Sequence, residues 1–232
     1  MSDFDYIKNN IDKLRTEIDL INKNVKILAV TKTHSKQAVE AAINFGLNEF
    51  GESKLQEAQA KIIDISSSHS NILWHFIGHL QSNKTNKVIE NFEVIESCDR
   101  IELIEQISLQ SLSMGKVTTC LLEIKVSEED TKFGIQPDNT FAIIEKVKHL
   151  GGIKINGLMT MAPYFDESEK ARPYFKKVRK LFDTIKGQNP GGNVTMEILS
   201  MGMSDDYKIA IAEGSTQVRI GTAIFGKRDN YK

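Results

Sequence analysis

Lys26-Ile-Leu-Ala-Val-Thr31 is a short, continuous apolar run of the kind that fits a strand covered on both faces. Working back from it, Phe4, Ile7, Ile11, Leu14, Ile18 and Ile21 recur at helical spacing, so one helix precedes any strand. Working forward, the chain alternates. A helical pattern with Val39, Ala42 and Ile43 ends at Gly46, and a short strand around Asn48 to Phe50 leads to a helix carrying Leu55, Ala58, Ile62 and Ile65. Ser53 and Gln56 have the spacing of a capping box at the start of that helix. Trp74 to Ile77 reads as the third strand, with its helix over Gln81 to Glu90, and Glu93 to Glu96 as the fourth, followed by a helix opened by Asp99 and Glu102.

The fifth strand, Val117 to Val126, reads as the longest, and Pro137 stands in the first turn of the helix that follows, a position proline favours. Ile153 to Met159 is the sixth strand, and the helix after it buries Ala171, Tyr174, Phe175, Val178, Leu181, Phe182 and Ile185. Met196 to Ser200, a helix over Ser204 to Glu213, and Gln217 to Ile220 complete the series. Strict alternation argues for parallel strands, because parallel pairs need crossover helices. Eight such units in 232 residues point to a single (β/α)8 TIM barrel spanning residues 1–232, since that fold needs roughly 200 to 250 residues. An open doubly wound sheet is the alternative. The extra N-terminal helix is expected to cover the gap where the barrel closes.

Composition narrows the function classes. Thirty basic and 31 acidic residues give a net charge of −1, with no basic field that would favour nucleic acid or an anionic membrane surface. Cys98 and Cys120, both in apolar stretches, are too few for a disulfide framework and read as small buried hydrophobes. The opening MSDFDYIKNN has no basic region followed by an apolar run, and no stretch approaches the ~18 apolar residues of a membrane span. A cytoplasmic location is the resulting expectation.

Barrel sites form at the C-terminal ends of the strands, commonly with a phosphate site made by the loops after the seventh and eighth. Those loops read Ser200-Met-Gly-Met-Ser204 and Arg219-Ile-Gly221-Thr222. Each offers a hydroxyl and a glycine where backbone N–H groups approach an anion. Arg219, ending an apolar strand, either points into the barrel mouth or caps a carboxylate. Lys32 follows the first strand directly, and a lysine desolvated at a barrel mouth is freed to attack a carbonyl. Facing a phosphate cradle, it suits either a phosphorylated aldehyde cofactor or a sugar-phosphate substrate. His75 and His79 have no metal-ligand spacing beside them and read as hydrogen-bonded barrel residues. Glu49 and Glu52 suit either a general base or a capping pair, capping being favoured, and Met159, Met161, Met201 and Met203 read as packing residues.

The blocks KILAVTKT (26–33), Phe50-Gly-Glu52, HFIGHLQSNK (75–84), GLMTMAP (157–163), LSMGMSDD (199–206) and GSTQVRIGTAIFG (214–226) resemble, in the same order, the YggS-type pyridoxal phosphate homeostasis proteins. The resemblance implies a barrel related to the N-terminal domain of alanine racemase, with pyridoxal 5′-phosphate held as a Schiff base on Lys32. It further implies that Ser200 and the Gly221-Thr222 amides hold the phosphate and that Arg219 faces the pyridine nitrogen. A cationic partner there weakens the ring as an electron sink. Ser53 departs from the pattern, many members having Asn at that place.

Relatives that racemise or decarboxylate amino acids add a second, mostly β domain, and this chain ends soon after the eighth strand. The resemblance therefore implies a binding protein that buffers or delivers the cofactor, with PLP-dependent apoenzymes as candidate recipients and a monomer as the simpler assembly. Two alternatives stay open: a PLP-dependent amino-acid racemase of low activity with Lys32 as one base, and a cofactor-free Schiff-base aldolase acting on a sugar phosphate.

Overall fold

The computed structural model describes residues 4–127 and 133–226. Eight strands close into a parallel barrel in chain order: β1 Lys26–Val30, β2 Glu49–Glu52, β3 Leu73–Phe76, β4 Val94–Cys98, β5 Thr118–Ile124, β6 Ile153–Thr160, β7 Val194–Ser200 and β8 Gln217–Ile220. Between and around them run α1 Asp5–Asn22, α2 Lys36–Asn44, α3 Leu55–Ser66, α4 Thr85–Asn91, α5 Ile101–Ser113, α6 Thr140–Val147, α7 Arg172–Gln188, α8 Tyr207–Ala212 and α9 Thr222–Phe225. The chain is thus a (β/α)8 barrel and not an open sheet.

Closure depends on β8 pairing with β1, where Lys26 to Ala29 register against Gln217 to Ile220. The first helix covers this seam: α1 buries Ile7, Ile11, Leu14 and Ile18 and packs on α8 and α9. Asn10 Nδ2 donates to the Ile224 carbonyl at 2.9 Å and the Tyr207 hydroxyl to Glu17. Ile21, the last member of the expected stripe, is exposed. The apolar core lies between strands and helices, with Phe50 and Trp74 ring to ring at 5.5 Å and Phe175 and Phe182 beneath α7. At ~25 cal/mol per Å2 of apolar area, this shell is the main source of stability.

Element boundaries differ from the sequence reading where local bonding competes with periodicity. β5 stops at Ile124, because Lys125 donates to the Ile135 carbonyl and Ile135 to that of Glu123, tying the chain to its own returning segment. β6, with eight residues, is the longest strand. The capping box at Ser53 does not form: α3 starts at Leu55 with no side-chain cap. Instead the Ser53 carbonyl presses against Gly78, where a Cβ would lie 2.1 Å from it, so only glycine admits this approach. A 3₁₀ turn, Ser82–Lys84, precedes α4, and Pro137 opens another, Pro137–Asn139, that leads into α6. The helix expected from Ser204 starts at Tyr207, because Asp206 Oδ1 takes the Met203 N–H at 2.6 Å and holds the preceding residues in a turn.

Candidate active site at the barrel mouth

The loop after β1 carries Lys32 two residues beyond the strand end, half-buried. Three contacts fix its start: the Thr31 N–H donates to the Gly51 carbonyl at 3.0 Å, Lys61 Nζ to the Thr31 carbonyl at 2.9 Å, and His34 N–H to the same carbonyl at 3.1 Å. The Thr31 hydroxyl and Lys61 Nζ both donate to Glu52 Oε1 at 2.7 Å. Glu52 is therefore the buried anchor of the Lys32 loop and not a helix cap, and Glu49 pairs with Lys26 at 2.6 Å. Thr33, directly after Lys32, has φ 69°. A β-branched residue pays about 1–2 kcal/mol for this left-handed conformation, and such strain gathers where surrounding contacts impose it at functional positions.

Across the seam, the turns after β7 and β8 meet. Gly202 has φ 95°, and a Cβ there would lie 2.5 Å from that of Ala210, so the β7 turn needs glycine. This turn brings the Ser204 hydroxyl to 3.3 Å from the Ala223 N–H, which donates to it at the start of α9. A Cβ on Gly221 would touch the Val30 carbonyl oxygen at 3.4 Å, placing the β8 turn beside the end of β1. The rings of His34 and Phe225 pack at 4.8 Å across the same junction. The loop that carries Lys32 thus meets Ser204 and Gly221-Thr222-Ala223 at one corner of the mouth.

Ser200 lies elsewhere. Fully buried, its hydroxyl donates to Glu96 Oε2 at 2.7 Å and accepts from Arg219 Nη1 at 2.9 Å. Arg219 Nη1 also donates to the Ser200 carbonyl at 2.8 Å and Nη2 to the Thr160 carbonyl at 2.7 Å. Glu96 Oε1 accepts from Gln217 Nε2 and is 2.7 Å from His75 Nδ1. Its carboxylate fixes the proton on that nitrogen. The expected phosphate hydroxyl is thus hydrogen-bonded into a polar network that crosses the barrel interior from β3 to β8. The hydroxyl at the β8 turn is Ser204, in the same loop four residues on.

Arg219 is buried and does both things its position allowed: it reaches the top of the barrel and is surrounded by carboxylates. Burial pulls its guanidinium pKa down, opposed by Glu96, Glu123 and Asp206. Burial also raises Glu96, but the hydrogen bond and charge of His75, the charge of Arg219 and the Ser200 hydroxyl prevail and hold it below 4.5. Glu123, at the end of β5, moves the other way. Burial and then the charge of Asp99 push it up to about 7, with Arg219 opposing. It faces a cavity of about 390 Å3 over the ends of β3, β5, β6 and β7, walled by Ile77, Ile124, Met161 and Tyr164. None of Lys32, Ser200, Arg219, Gly221 or Thr222 lines this space.

His79 pairs with Asp99 at 3.1 Å and stacks on Phe133. Among the described residues no group of three or more His, Cys, Asp and Glu is placed to hold a metal ion, and no helix is long and apolar enough to cross a membrane. Cys98 and Cys120 are both buried thiols, and the hydrogen bond from Cys120 together with burial pushes Cys98 well up.

Residues 2–229 match the family described as alanine racemase, N-terminal domain. The chain belongs to that family. Its similarity to pyridoxal phosphate homeostasis proteins is close: 38% identity to that of Aquifex aeolicus, covering 88% of this chain and 87% of the relative, and 35% to that of Escherichia coli, covering 97% and 95%. Among solved structures, PipY of Synechococcus elongatus with PLP bound superimposes with a TM-score of 0.86 at 31% identity, over 95% of this chain and all of that one. Alanine racemase of Clostridium difficile shares the fold alone, with a TM-score of 0.74 at 16% identity, over 98% of this chain and 61% of that longer one.

Proposed function

We propose that this family member binds pyridoxal 5′-phosphate at the barrel mouth and serves intracellular PLP homeostasis, buffering or delivering the cofactor. The observation that supports the reading is the meeting of the loops after β1, β7 and β8, which brings the segment carrying the half-buried Lys32 to a turn with backbone N–H groups and a hydroxyl. That donor set matches the cofactor group by group. Lys32 offers the amine for the aldehyde, Ser204 with the Gly221, Thr222 and Ala223 amides offers donors for the phosphate, and Arg219 offers a cation for the ring nitrogen. When bound, the cofactor supplies an electrophilic carbonyl carbon that amines join reversibly.

The chain's own residues do the rest. Glu52 and Lys61 hold the Lys32 loop by its Thr31 carbonyl and hydroxyl. Glu96, through Ser200, keeps Arg219 in place and balances its charge in the barrel interior. Reversible condensation with Lys32 allows both retention and release, as a carrier requires. In this reading the recipients are PLP-dependent apoenzymes, and the protein acts as a monomer in the cytoplasm.

The test is an absorbance titration of the purified protein with PLP, alongside Lys32→Ala. A near-visible band that saturates at one equivalent in the wild type and is absent in the variant is the expected result. An equal band in Lys32→Ala refutes the assignment.

A further inference from the structure

Glu123 stands on the floor of the cavity beside Arg219. Glu123 lines it and is 6% exposed, and its carboxylate makes no hydrogen bond or ion pair with any described residue. Arg219 offsets its charge only in part, and a carboxylate this buried gains from a ligand that donates to it. Asp205 and Asp206 also line the space with Lys125 and His79, and with Arg219 behind Glu123 and Asp206 the acids still outnumber the fixed cations, so its charge favours a cation. The remaining wall is apolar, and Tyr164, Phe133, Met161 and Met203 stand 78%, 55%, 41% and 38% exposed at its rim. Apolar side chains gathered around one opening mark a binding surface more often than chance exposure does. The volume, about 390 Å3, falls in the range of small-molecule sites.

We propose that this cavity binds a small primary alkylamine, its ammonium on the Glu123 carboxylate and its hydrocarbon part against the apolar walls. The ammonium supplies three donors to an acceptor-only group, while a carboxylate-bearing ligand meets three acids. The site stands on the geometry of the cavity alone. Its use rests on the cofactor reading: an amine held here is presented to a mouth that carries an aldehyde, and the cavity then selects which amines exchange with Lys32.

The test uses the cofactor-free protein and calorimetric titration with pentylamine, pentan-1-ol and pentanoate at pH 8. Pentylamine is expected to bind at least tenfold more tightly than pentan-1-ol, and pentanoate more weakly still. Glu123→Gln should bring pentylamine to the level of the alcohol, and Met203→Trp, which narrows the opening, should weaken both alike. Between pH 8 and 6 the wild-type affinity should fall as Glu123 protonates. Asp99 and Arg219 face that carboxyl, and His79, Lys125, Asp205 and Asp206 share the wall, so Glu123→Gln is the control that must show no such fall.

Equal binding of amine and alcohol, no binding of the amine, or an unchanged affinity in Glu123→Gln overturns the proposal. A cofactor band without amine binding removes this site and leaves the cofactor reading standing. Amine binding without a cofactor band keeps the site and removes its use.

Discussion

Replacing Glu96 by Gln tests whether the interior network is an electrostatic frame for Arg219 or an incidental set of contacts. The carboxylate is fully buried and meets His75, Ser200 and Gln217, each at 2.7 Å. Glutamine retains one accepting oxygen but turns an NH2 group toward a donor, and it leaves the buried Arg219 without its nearest balancing charge. Hydrogen bonds to charged groups contribute about 1.5–3 kcal/mol each, and removing one member of a buried charge pair costs about 3–5 kcal/mol. Because Arg219 is held through Ser200, and the amide keeps part of the bonding, a loss of about 3 kcal/mol is expected. For a chain of this size that lowers Tm by about 6–12 °C, read by circular dichroism and checked by urea unfolding.

The loss also depends on pH. Glu96 is held below 4.5 in the folded state, so the stability it contributes is fully present above that value and declines as pH falls through the lower, folded one. The difference between variant and wild type should be largest near neutrality and shrink below about pH 4. A loss under about 1 kcal/mol at pH 7, or a difference that grows on acidification, refutes the argument.

Other outcomes separate the roles of neighbouring groups. Ser204→Ala should weaken PLP binding roughly tenfold while changing pyridoxal binding far less, because one phosphate donor is lost. Ser200→Ala should instead cost about 1–3 kcal/mol of stability, since it strips a partner from both Glu96 and Arg219. Glu123, moved from 4.5 to about 7, carries about 3 kcal/mol of pH-dependent stability, at about 1.4 kcal/mol per tenfold change in proton affinity. Its contribution is fully present below pH 4.5 and lost as pH rises through about 7, so denaturant unfolding of the wild type should weaken against Glu123→Gln across that window. A flat difference refutes the assignment of that carboxyl.

The barrel was legible in the sequence because its signal is redundant: eight apolar runs each separated by a helical stripe agree with one another, and errors of two or three residues at their ends do not alter the count. The ends themselves depend on single hydrogen bonds. Periodicity carries no trace of the Lys125 and Ile135 bonds that end β5, or of the Asp206 bond that delays α8. The four-residue α9 is too short to show a stripe.

Lys32, Arg219 and the Gly221-Thr222 turn are candidates legible from their places at strand ends. Ser200 and Ser204 bracket the same loop, and choosing between them needed the direction of the side chains. Ser200 closes β7 with its hydroxyl inside the barrel, whereas the Gly202 turn carries Ser204 across to α9. Alternation along β7 gave a hint, because the last residue of a strand still follows its inward or outward phase. The partners of Glu96 come from strands up to 121 residues away in the chain, a separation that motif spacing does not encode. Spacing hides the role of Glu52 for the same reason, its partners Thr31 and Lys61 lying on two other segments.

The most direct test of the central claim is borohydride reduction of the protein loaded with PLP, followed by proteolysis and mass mapping. The account predicts one cofactor-derived mass on the peptide containing Lys32, and no comparable labelling of Lys61, whose ammonium is held by Glu52. An adduct spread over other lysines, or none on Lys32, contradicts it.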